Sequence, residues 1–184
     1  MKPIAEMSRI ELGSLICSKL MEKGLEVVLS GGSCVAIYSN EKYVSQDLDL
    51  VNRYESNRKS IEGVMTSLGF QKQSTLARLY FHQDTEFYVE FPTGPLAIGE
   101  ERINKIHNIK TDVGVLNILT PTDCIKDRLV YYFHNNEKQG LKLASLVATS
   151  GHEIDFDDLR RWAKDENCAE KFQDFWKEIE KFKD

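Results

Sequence analysis

The sequence predicts an α/β (α+β) fold, with a mixed sheet, flanking helices and a C-terminal helical subdomain. Two observations carry this prediction. Short apolar runs, rich in β-branched and aromatic residues, alternate with segments of helical periodicity up to about residue 120. From Pro121 onward, only helical periodicity remains. We therefore predict a core at residues 1–120 and the helical subdomain at residues 121–184.

The first elements are predicted from periodicity and from helix caps. Their order is helix, strand, short helix and strand, at residues 8–23, 25–29, 33–39 and 47–51. Ser8 and Glu11 match a capping box at the start of the first helix, and Gly24 is suited to the turn that ends it. In the second strand, Leu48 and Leu50 share one face because side chains alternate along a strand.

The middle of the chain predicts one more helix and then mainly strands. The helix covers residues 55–68 and ends at Gly69. The strands are predicted at residues 70–73, 77–82, 86–91, 103–110 and 113–119. The helices of the C-terminal part are predicted at residues 121–135, 137–149, 155–166 and 169–182. Thr120 followed by Pro121 favours the start of the first of these helices.

Composition and charge argue against several classes of protein. A net charge of −5 disfavours broad, nonspecific DNA binding, since a surface that coats phosphates needs clustered lysine and arginine. The four cysteines are far apart, so neither a zinc site nor a disulfide framework is expected. No apolar run approaches the roughly 20 residues of a membrane span, and the N-terminus does not resemble a signal peptide. We therefore expect a cytoplasmic protein that does not associate with membranes.

The stretch LSGGSCVAIYSNEKYVSQDLDLV at residues 29–51 carries two carboxylates suited to binding a metal ion. Asp47 and Asp49 lie on one face of the predicted strand, about 7 Å apart at their Cα atoms. Carboxylates this close repel each other unless cations lie beside them. Because Mg²⁺ takes oxygen ligands and usually keeps phosphates in its shell, the pair predicts a metal site for a nucleoside triphosphate.

The same stretch carries a glycine pair that suits phosphate binding. Gly31 and Gly32 allow the backbone to approach a ligand closely, and the N–H groups at the start of the following helix can bind phosphate. Ser33 adds a hydroxyl donor. The chain has neither the GxxxxGK[ST] pattern of a P-loop nor a GxGxxG dinucleotide pattern after its first strand. We therefore expect the phosphate site and the metal site to come from neighbouring strands.

This combination resembles the DNA polymerase β-like nucleotidyltransferase superfamily. The pattern of that superfamily is an apolar residue, Gly, then Gly or Ser, a helical spacer, and Asp-x-Asp between apolar residues. The matching residues here are Gly31, Gly32, Ser33, Asp47 and Asp49. The segment TPTDCIKDRL and the helical tail also resemble the C-terminal part of small bacterial nucleotidyltransferases, including abortive-infection-type toxins.

The superfamily pattern includes a third carboxylate on a later strand. Glu90 in FYVEFP is the first choice, because Val89 and Phe91 flank it as expected for a ligand on a strand. Glu86 is the second choice, since residues four apart on a strand share a face. The resemblance implies that Asp47, Asp49 and the third carboxylate bind Mg²⁺ or Mn²⁺ and act in catalysis.

The implied reaction moves a nucleoside monophosphate from an NTP, such as ATP, to a hydroxyl acceptor and releases pyrophosphate. The acceptor stays open between an RNA end, a protein side chain and a small molecule such as an aminoglycoside. The likeness to toxins adds a cognate antitoxin as a partner to test. The alternative is a non-catalytic nucleotide- or partner-binding module on the same fold.

Two basic residues and two tyrosines of the first C-terminal helix are further candidates. Lys126 and Arg128 follow the predicted sheet closely enough to reach a triphosphate, and Lys126 is assigned to nucleotide binding. A solvated helix face is the alternative for both. Tyr131 or Tyr132 could face a nucleotide, although core packing also explains this aromatic group.

Overall fold

The centre of the molecule is a sheet of seven strands, mixed in direction. We describe it from a computed structural model, which covers residues 2–54, 58–74 and 78–182. The strands are β1 (Val27–Ser30), β2 (Asp47–Asn52), β3 (Gln71–Lys72), β4 (Leu79–Phe81), β5 (Tyr88–Glu90), β6 (Ala97–Ile98), β7 (Glu101–Arg102), β8 (His107–Thr111) and β9 (Gly114–Ile118). The order in the sheet is β3-β4-β5-β2-β1-β9-β8, and β6 and β7 form a separate ribbon.

Helices surround this sheet, and the predicted mixed α/β fold is confirmed. The helices are α1 (Arg9–Met21), α2 (Gly31–Tyr38), α3 (Arg58–Ser67), α4 (Pro121–Asn135), α5 (Lys138–Ala148), α6 (Phe156–Asp165) and α7 (Ala169–Glu180). No helix within the described ranges is long and apolar enough to cross a membrane.

The two faces of β2 have different surroundings. Leu48 and Leu50 are fully buried, and Gly13 of α1 lies against Leu48 and Leu116. Helix α1 therefore covers the apolar face of the central strands. Asp47 and Asp49 point to the opposite face, as alternation along the strand predicts.

Helix caps agree with the sequence patterns. Ser8 and Glu11 form both hydrogen bonds of a capping box at the start of α1. The Thr120 hydroxyl accepts a hydrogen bond from the Asp123 N–H at 3.1 Å, and Pro121 is the first residue of α4. These caps act over three residues, which explains why they could be identified from the sequence.

Several boundaries differ from the predicted ones. Helix α2 starts at Gly31 itself, so the glycines form its first turn instead of preceding it. The predicted strand at 103–110 is shortened at its start because the Ile103 N–H donates to the Leu96 carbonyl, beside the β6–β7 ribbon. That ribbon was not predicted, since strands of two residues carry no periodic signal. Residues 55–57 of the predicted helix, residue 77 of a predicted strand and residues 183–184 lie outside the described residues.

The apolar core continues past residue 120. The Tyr38 hydroxyl of α2 donates to the Leu119 carbonyl at 2.6 Å, and buried residues of α4 belong to the same apolar cluster as those of the sheet. Farther along, Phe133 stacks on Trp162 with 5.4 Å between ring centroids. The division into two parts at residue 120 stays a prediction.

Candidate functional site

Strand register brings two of the predicted carboxylates together. Strands β2 and β5 are parallel neighbours, with Asp49 opposite Glu90 and Asp47 opposite Tyr88. Residues paired in this way point to the same face, about 5 Å apart across the strands. Asp47, Asp49 and Glu90 therefore share the face that α1 does not cover.

The structure separates the two candidates for the third carboxylate. Glu90 is half-buried and lies in β5 beside Asp49. Glu86 is exposed and precedes the first residue of β5, so it has no partner in β2. Geometry therefore favours Glu90, although the assignment of a role to either residue stays a prediction.

Gly31 has a clear steric reason to be glycine. Its φ is +68°, and a Cβ atom built there would lie only 1.8 Å from Oδ2 of Asp49. Its N–H donates to Oδ2 of Asp127, in α4, at 3.2 Å. The start of α2 is thus packed directly against Asp49, and any side chain at Gly31 would collide with that carboxylate.

Ser33 and Gly32 shape the segment that leads into β2. The Ser33 side chain is fully buried, and its hydroxyl donates to the carbonyl of Asp47 at 2.5 Å. A Cβ atom at Gly32 would lie 2.8 Å from Oγ of Ser45 and 3.4 Å from the ring of Tyr43. The Ser33 hydroxyl therefore holds the backbone at Asp47, so it does not serve as the phosphate donor expected from the sequence, and glycine at position 32 leaves the room that Ser45 and Tyr43 occupy.

The electrostatics of the cluster favour a bound cation. Burial, together with the nearby carboxylates of Glu90 and Asp127, raises the pKa of Asp49 to about 6. Carboxylate oxygens are the ligands that Mg²⁺ and Mn²⁺ prefer. A cation would relieve the repulsion between Asp49 and Glu90, and the oxygen donors of Asp47, Asp49 and Glu90 are of the kind that binds a divalent metal ion. Asp49 and Glu90 line one cavity, whereas Asp47 does not, and the oxygens of the three carboxylates are not all within 4.8 Å of one another in the described structure.

A cavity of about 390 Å³ opens beside Asp49 and Glu90. Its floor is the sheet and the start of α2, and α4 supplies one wall with Asp127, Arg128 and Tyr131. Two atoms of the Arg128 guanidinium donate to Oδ2 of Asp127, at 2.6 and 3.1 Å. The Arg128 guanidinium also lies 4.9 Å from the centroid of the Tyr131 ring.

Arg128 is the only lysine or arginine among the described residues that line this cavity. Burial by itself would lower the pKa of Arg128, but Asp127 holds that pKa above its ordinary value. The guanidinium is therefore a fixed positive charge in the same cavity as Asp49 and Glu90.

Lys126 does not line this cavity. Its Nζ lies 2.6 Å from Asp158, 2.7 Å from Glu101 and 3.3 Å from Asp123, and its side chain is only 1% exposed. These three carboxylates are close enough together to bind a metal ion. The Lys126 ammonium already lies among them, so we interpret the cluster as an ion-pair network that joins β7, α4 and α6.

Asp127 was not identified from the sequence. It accepts hydrogen bonds from its neighbour Arg128 and from Gly31, which is 96 residues away, and nothing in a single sequence marks so distant a contact. Its position next to Arg128, early in a helix that follows the sheet, is the one signal that could have drawn attention to it.

Among the comparisons with known proteins, only the search of solved structures found matches to this chain. No protein-family model matches the chain, and no curated protein matches it either. Three solved chains match. One is the solution structure of the antibiotic-resistance factor ANT(2'')-Ia, with 16% sequence identity, a TM-score of 0.51, and coverage of 91% of this chain and 92% of that chain.

ANT(2'')-Ia has a nucleotidyltransferase fold. The likeness confirms, at the level of the fold, the resemblance that GGS and DLD predict. At this sequence identity the shared property is the nucleotidyltransferase fold.

Proposed function

We propose that this protein is a nucleotidyltransferase that moves a nucleoside monophosphate from an NTP to a hydroxyl acceptor and releases pyrophosphate. The observation that carries the proposal is the register of β2 with β5, which sets Glu90 beside Asp49, next to the glycine start of α2. The fold shared with ANT(2'')-Ia supports the same class of reaction.

Asp47, Asp49 and Glu90 would hold Mg²⁺ or Mn²⁺. When bound, such ions neutralise charge on the phosphate oxygens and make an acceptor hydroxyl easier to deprotonate. Glu90 lies one strand beyond the aspartate pair, so we assign it to the acceptor side, where its carboxylate can also take the hydroxyl proton.

The cavity beside these carboxylates would hold the NTP. The N–H groups in the first turn of a helix have no partner within the helix, and a helix start favours negative charge. Since the Gly31 N–H is used by Asp127 and Ser33 is fully buried, the N–H group of Gly32 is the proposed phosphate donor. Arg128 takes the cationic role first given to Lys126, because Arg128 lines the cavity.

Tyr131 is the proposed contact for the base or the sugar. Tyr131 is 41% exposed, and its ring lies on the cavity wall beside the Arg128 guanidinium. An exposed aromatic face accepts any base by stacking, so this contact implies little preference among the four NTPs.

The test compares Glu90→Gln with Glu86→Gln. Both variants remove one carboxylate from the same stretch, but only Glu90 is paired with Asp49. We expect Glu90→Gln to bind NTP nearly as well as wild type and to lose orders of magnitude in transfer rate. Glu86→Gln should transfer at the wild-type rate.

The measurement is single-turnover transfer from each of four α-labelled NTPs into a cell extract, alongside NTP affinity. Sorting the label into RNA, protein and small-molecule fractions identifies the acceptor class. Equal activity of both variants would remove Glu90 from the reaction. NTP binding by wild type without label in any fraction would instead support the non-catalytic binding module.

A further inference from the structure

A buried arginine lies where both carboxylate-bearing strands begin. Arg9, in the first turn of α1, is only 5% exposed. Its Nη1 donates to the Glu41 carboxylate at 2.7 and 2.5 Å, and its Nη2 donates to the Ser45 carbonyl at 2.7 Å. Its guanidinium carbon is 5.2 Å from the centroid of the Phe87 ring.

These contacts fall immediately before β2 and β5. Ser45 lies two residues before Asp47, the first residue of β2, and Phe87 directly precedes Tyr88, the first residue of β5. The Tyr88 N–H also donates to the carbonyl of residue 46 at 2.9 Å. One guanidinium therefore connects the segments that lead into both parallel strands.

The segment between α2 and β2 depends on such external contacts. Residues 39–46 contain no helix or strand, and Asn40 and Glu41 both have positive φ, at 53° and 59°. A positive φ is unfavourable for residues other than glycine, so surrounding contacts must stabilise this backbone. Arg9 holds the segment from the α1 side, and Ser33 holds its far end through the Asp47 carbonyl.

We propose that Arg9 is a positioning residue for the metal-binding carboxylates. By fixing the starts of β2 and β5, it sets the spacing of Asp47 relative to the Asp49–Glu90 pair. Mg²⁺ and Mn²⁺ require oxygen ligands at defined distances, so a looser start of either strand weakens their binding. This inference rests on the proposed function, because that function supplies the metal.

Stability alone does not account for the residue. The partner carboxylate of Glu41 is 57% exposed, and an ion pair with so exposed a partner contributes little to folding. The Arg9 Nε–H is buried and has no hydrogen-bond partner within the described chain, which is unfavourable. An apolar side chain would fill this position without burying an unpaired N–H group. The guanidinium, in contrast, can contact the segment that leads into β2 and the segment that leads into β5 at the same time.

Arg53 provides a matched control at the other end of β2. Its Nη1 donates to Glu26 at 2.7 Å, its Nη2 donates to the Asn104 carbonyl at 2.6 Å, and its guanidinium lies 5.6 Å from the Tyr54 ring. The same three kinds of contact thus occur where β2 ends, away from the carboxylate cluster. Replacing Arg53 disturbs β2 without releasing the segment before Asp47.

The experiment measures Mn²⁺ affinity of the full-length chain by electron paramagnetic resonance, without NTP, for wild type, Arg9→Met and Arg53→Met. Loss of a group that orients metal ligands typically weakens metal binding roughly 10- to 100-fold, and we expect Arg9→Met to fall in that range. Arg53→Met should bind Mn²⁺ like wild type, even where its melting temperature is lower. Hydrogen exchange of residues 40–47 should accelerate in Arg9→Met only.

Unchanged Mn²⁺ affinity in Arg9→Met, or equal weakening in both variants, would overturn the proposal and make Arg9 a purely structural residue. If Arg9→Met does not fold, Glu41→Gln is tested instead, because Glu41 is exposed and its substitution removes the ion pair with Arg9. Weaker Mn²⁺ binding in Glu41→Gln then supports the proposal, and wild-type binding overturns it. Absence of Mn²⁺ binding in wild type would overturn the proposed function itself, which is a distinct result.

Discussion

Asp49 is a carboxylate in surroundings that disfavour its charge. It is half-buried, Glu90 lies beside it on the next strand, and Asp127 approaches from α4. Burial and these acids raise its pKa to about 6. Ionising Asp49 in the folded, metal-free protein therefore costs free energy, and the attraction of a bound cation for the carboxylate would offset this cost.

This leads to a prediction on pH and stability. The unfolded chain has an ordinary aspartate pKa near 4, so the folded state binds the proton more tightly between about pH 4 and about pH 6. Stability should fall as the pH rises through that interval and then level off. Asn does not titrate, so in metal-free buffer Asp49→Asn should become more stable than wild type, by about 1–3 kcal/mol above about pH 6.

The measurement is urea unfolding of both proteins with a chelator present, near pH 4.5 and near pH 7.5. Adding Mg²⁺ at the higher pH should stabilise wild type and leave Asp49→Asn unchanged. A stability difference that is the same at both pH values would mean that Asp49 titrates normally in the folded protein.

At the scale of elements, α4 turns different side chains toward different neighbours. Asp127, Arg128 and Tyr131 line the cavity, whereas Lys126 points into an ion-pair network with β7 and α6. Burial by itself would raise the pKa of Asp158, but hydrogen bonds from Lys126 and Arg161 lower it. Helix α4 thus anchors the β6–β7 ribbon and α6 while it forms one wall of the candidate site.

Lys126 is therefore expected to act on stability and not on nucleotide affinity. Lys126→Met removes the one ammonium that contacts Glu101, Asp123 and Asp158 together, and leaves Arg161 paired with Glu101 and Asp158 but not with Asp123. Breaking a buried ion pair on one side typically costs about 3–5 kcal/mol, and we expect a loss of that order. The NTP affinity of the protein that remains folded should match wild type.

Lys142→Met is the control for this change. Lys142 is exposed on α5, so the same substitution there should alter stability little. Denaturant unfolding and calorimetric NTP titration of both variants give the two readouts. If Lys126→Met instead lowers NTP affinity without lowering stability, Lys126 contributes to nucleotide binding, as predicted from the sequence.

Across the whole molecule, the candidate site joins both parts of the chain. The sheet and α2 supply the carboxylates and the helix start, and α4 supplies the guanidinium and the aromatic ring. The Gly31 N–H to Asp127 contact ties the two sides together. A ligand that touches both sides binds the folded state only and should stabilise the entire domain.

The corresponding prediction concerns the melting temperature. With Mg²⁺ and NTP at about 100 times the dissociation constant, linkage gives about 2.7 kcal/mol, or a rise of roughly 5–10 °C for a chain of this size. Asp49→Asn should lose most of this rise. Scanning fluorimetry measures the shift, and a variant that responds as strongly as wild type would place Asp49 outside the metal site.

The sequence alone determined the features that depend on neighbours in the chain. The capping box of Ser8 with Glu11, the Thr120–Pro121 helix start and the shared face of Asp47 and Asp49 all follow from interactions within a few residues. The GGS and DLD patterns indicated the nucleotidyltransferase fold for the same reason, because both patterns are local.

Only the tertiary structure decided which distant residues meet. Glu90 lies beside Asp49 because β2 and β5 pair in one register, and a shift of that pairing would have favoured another residue of the segment. Helical periodicity places α4 against the core, but the docking angle of α4 determines that Arg128 faces the cavity while Lys126 is enclosed by carboxylates. These outcomes depend on packing between segments far apart in the chain, and local propensity carries no information about such packing.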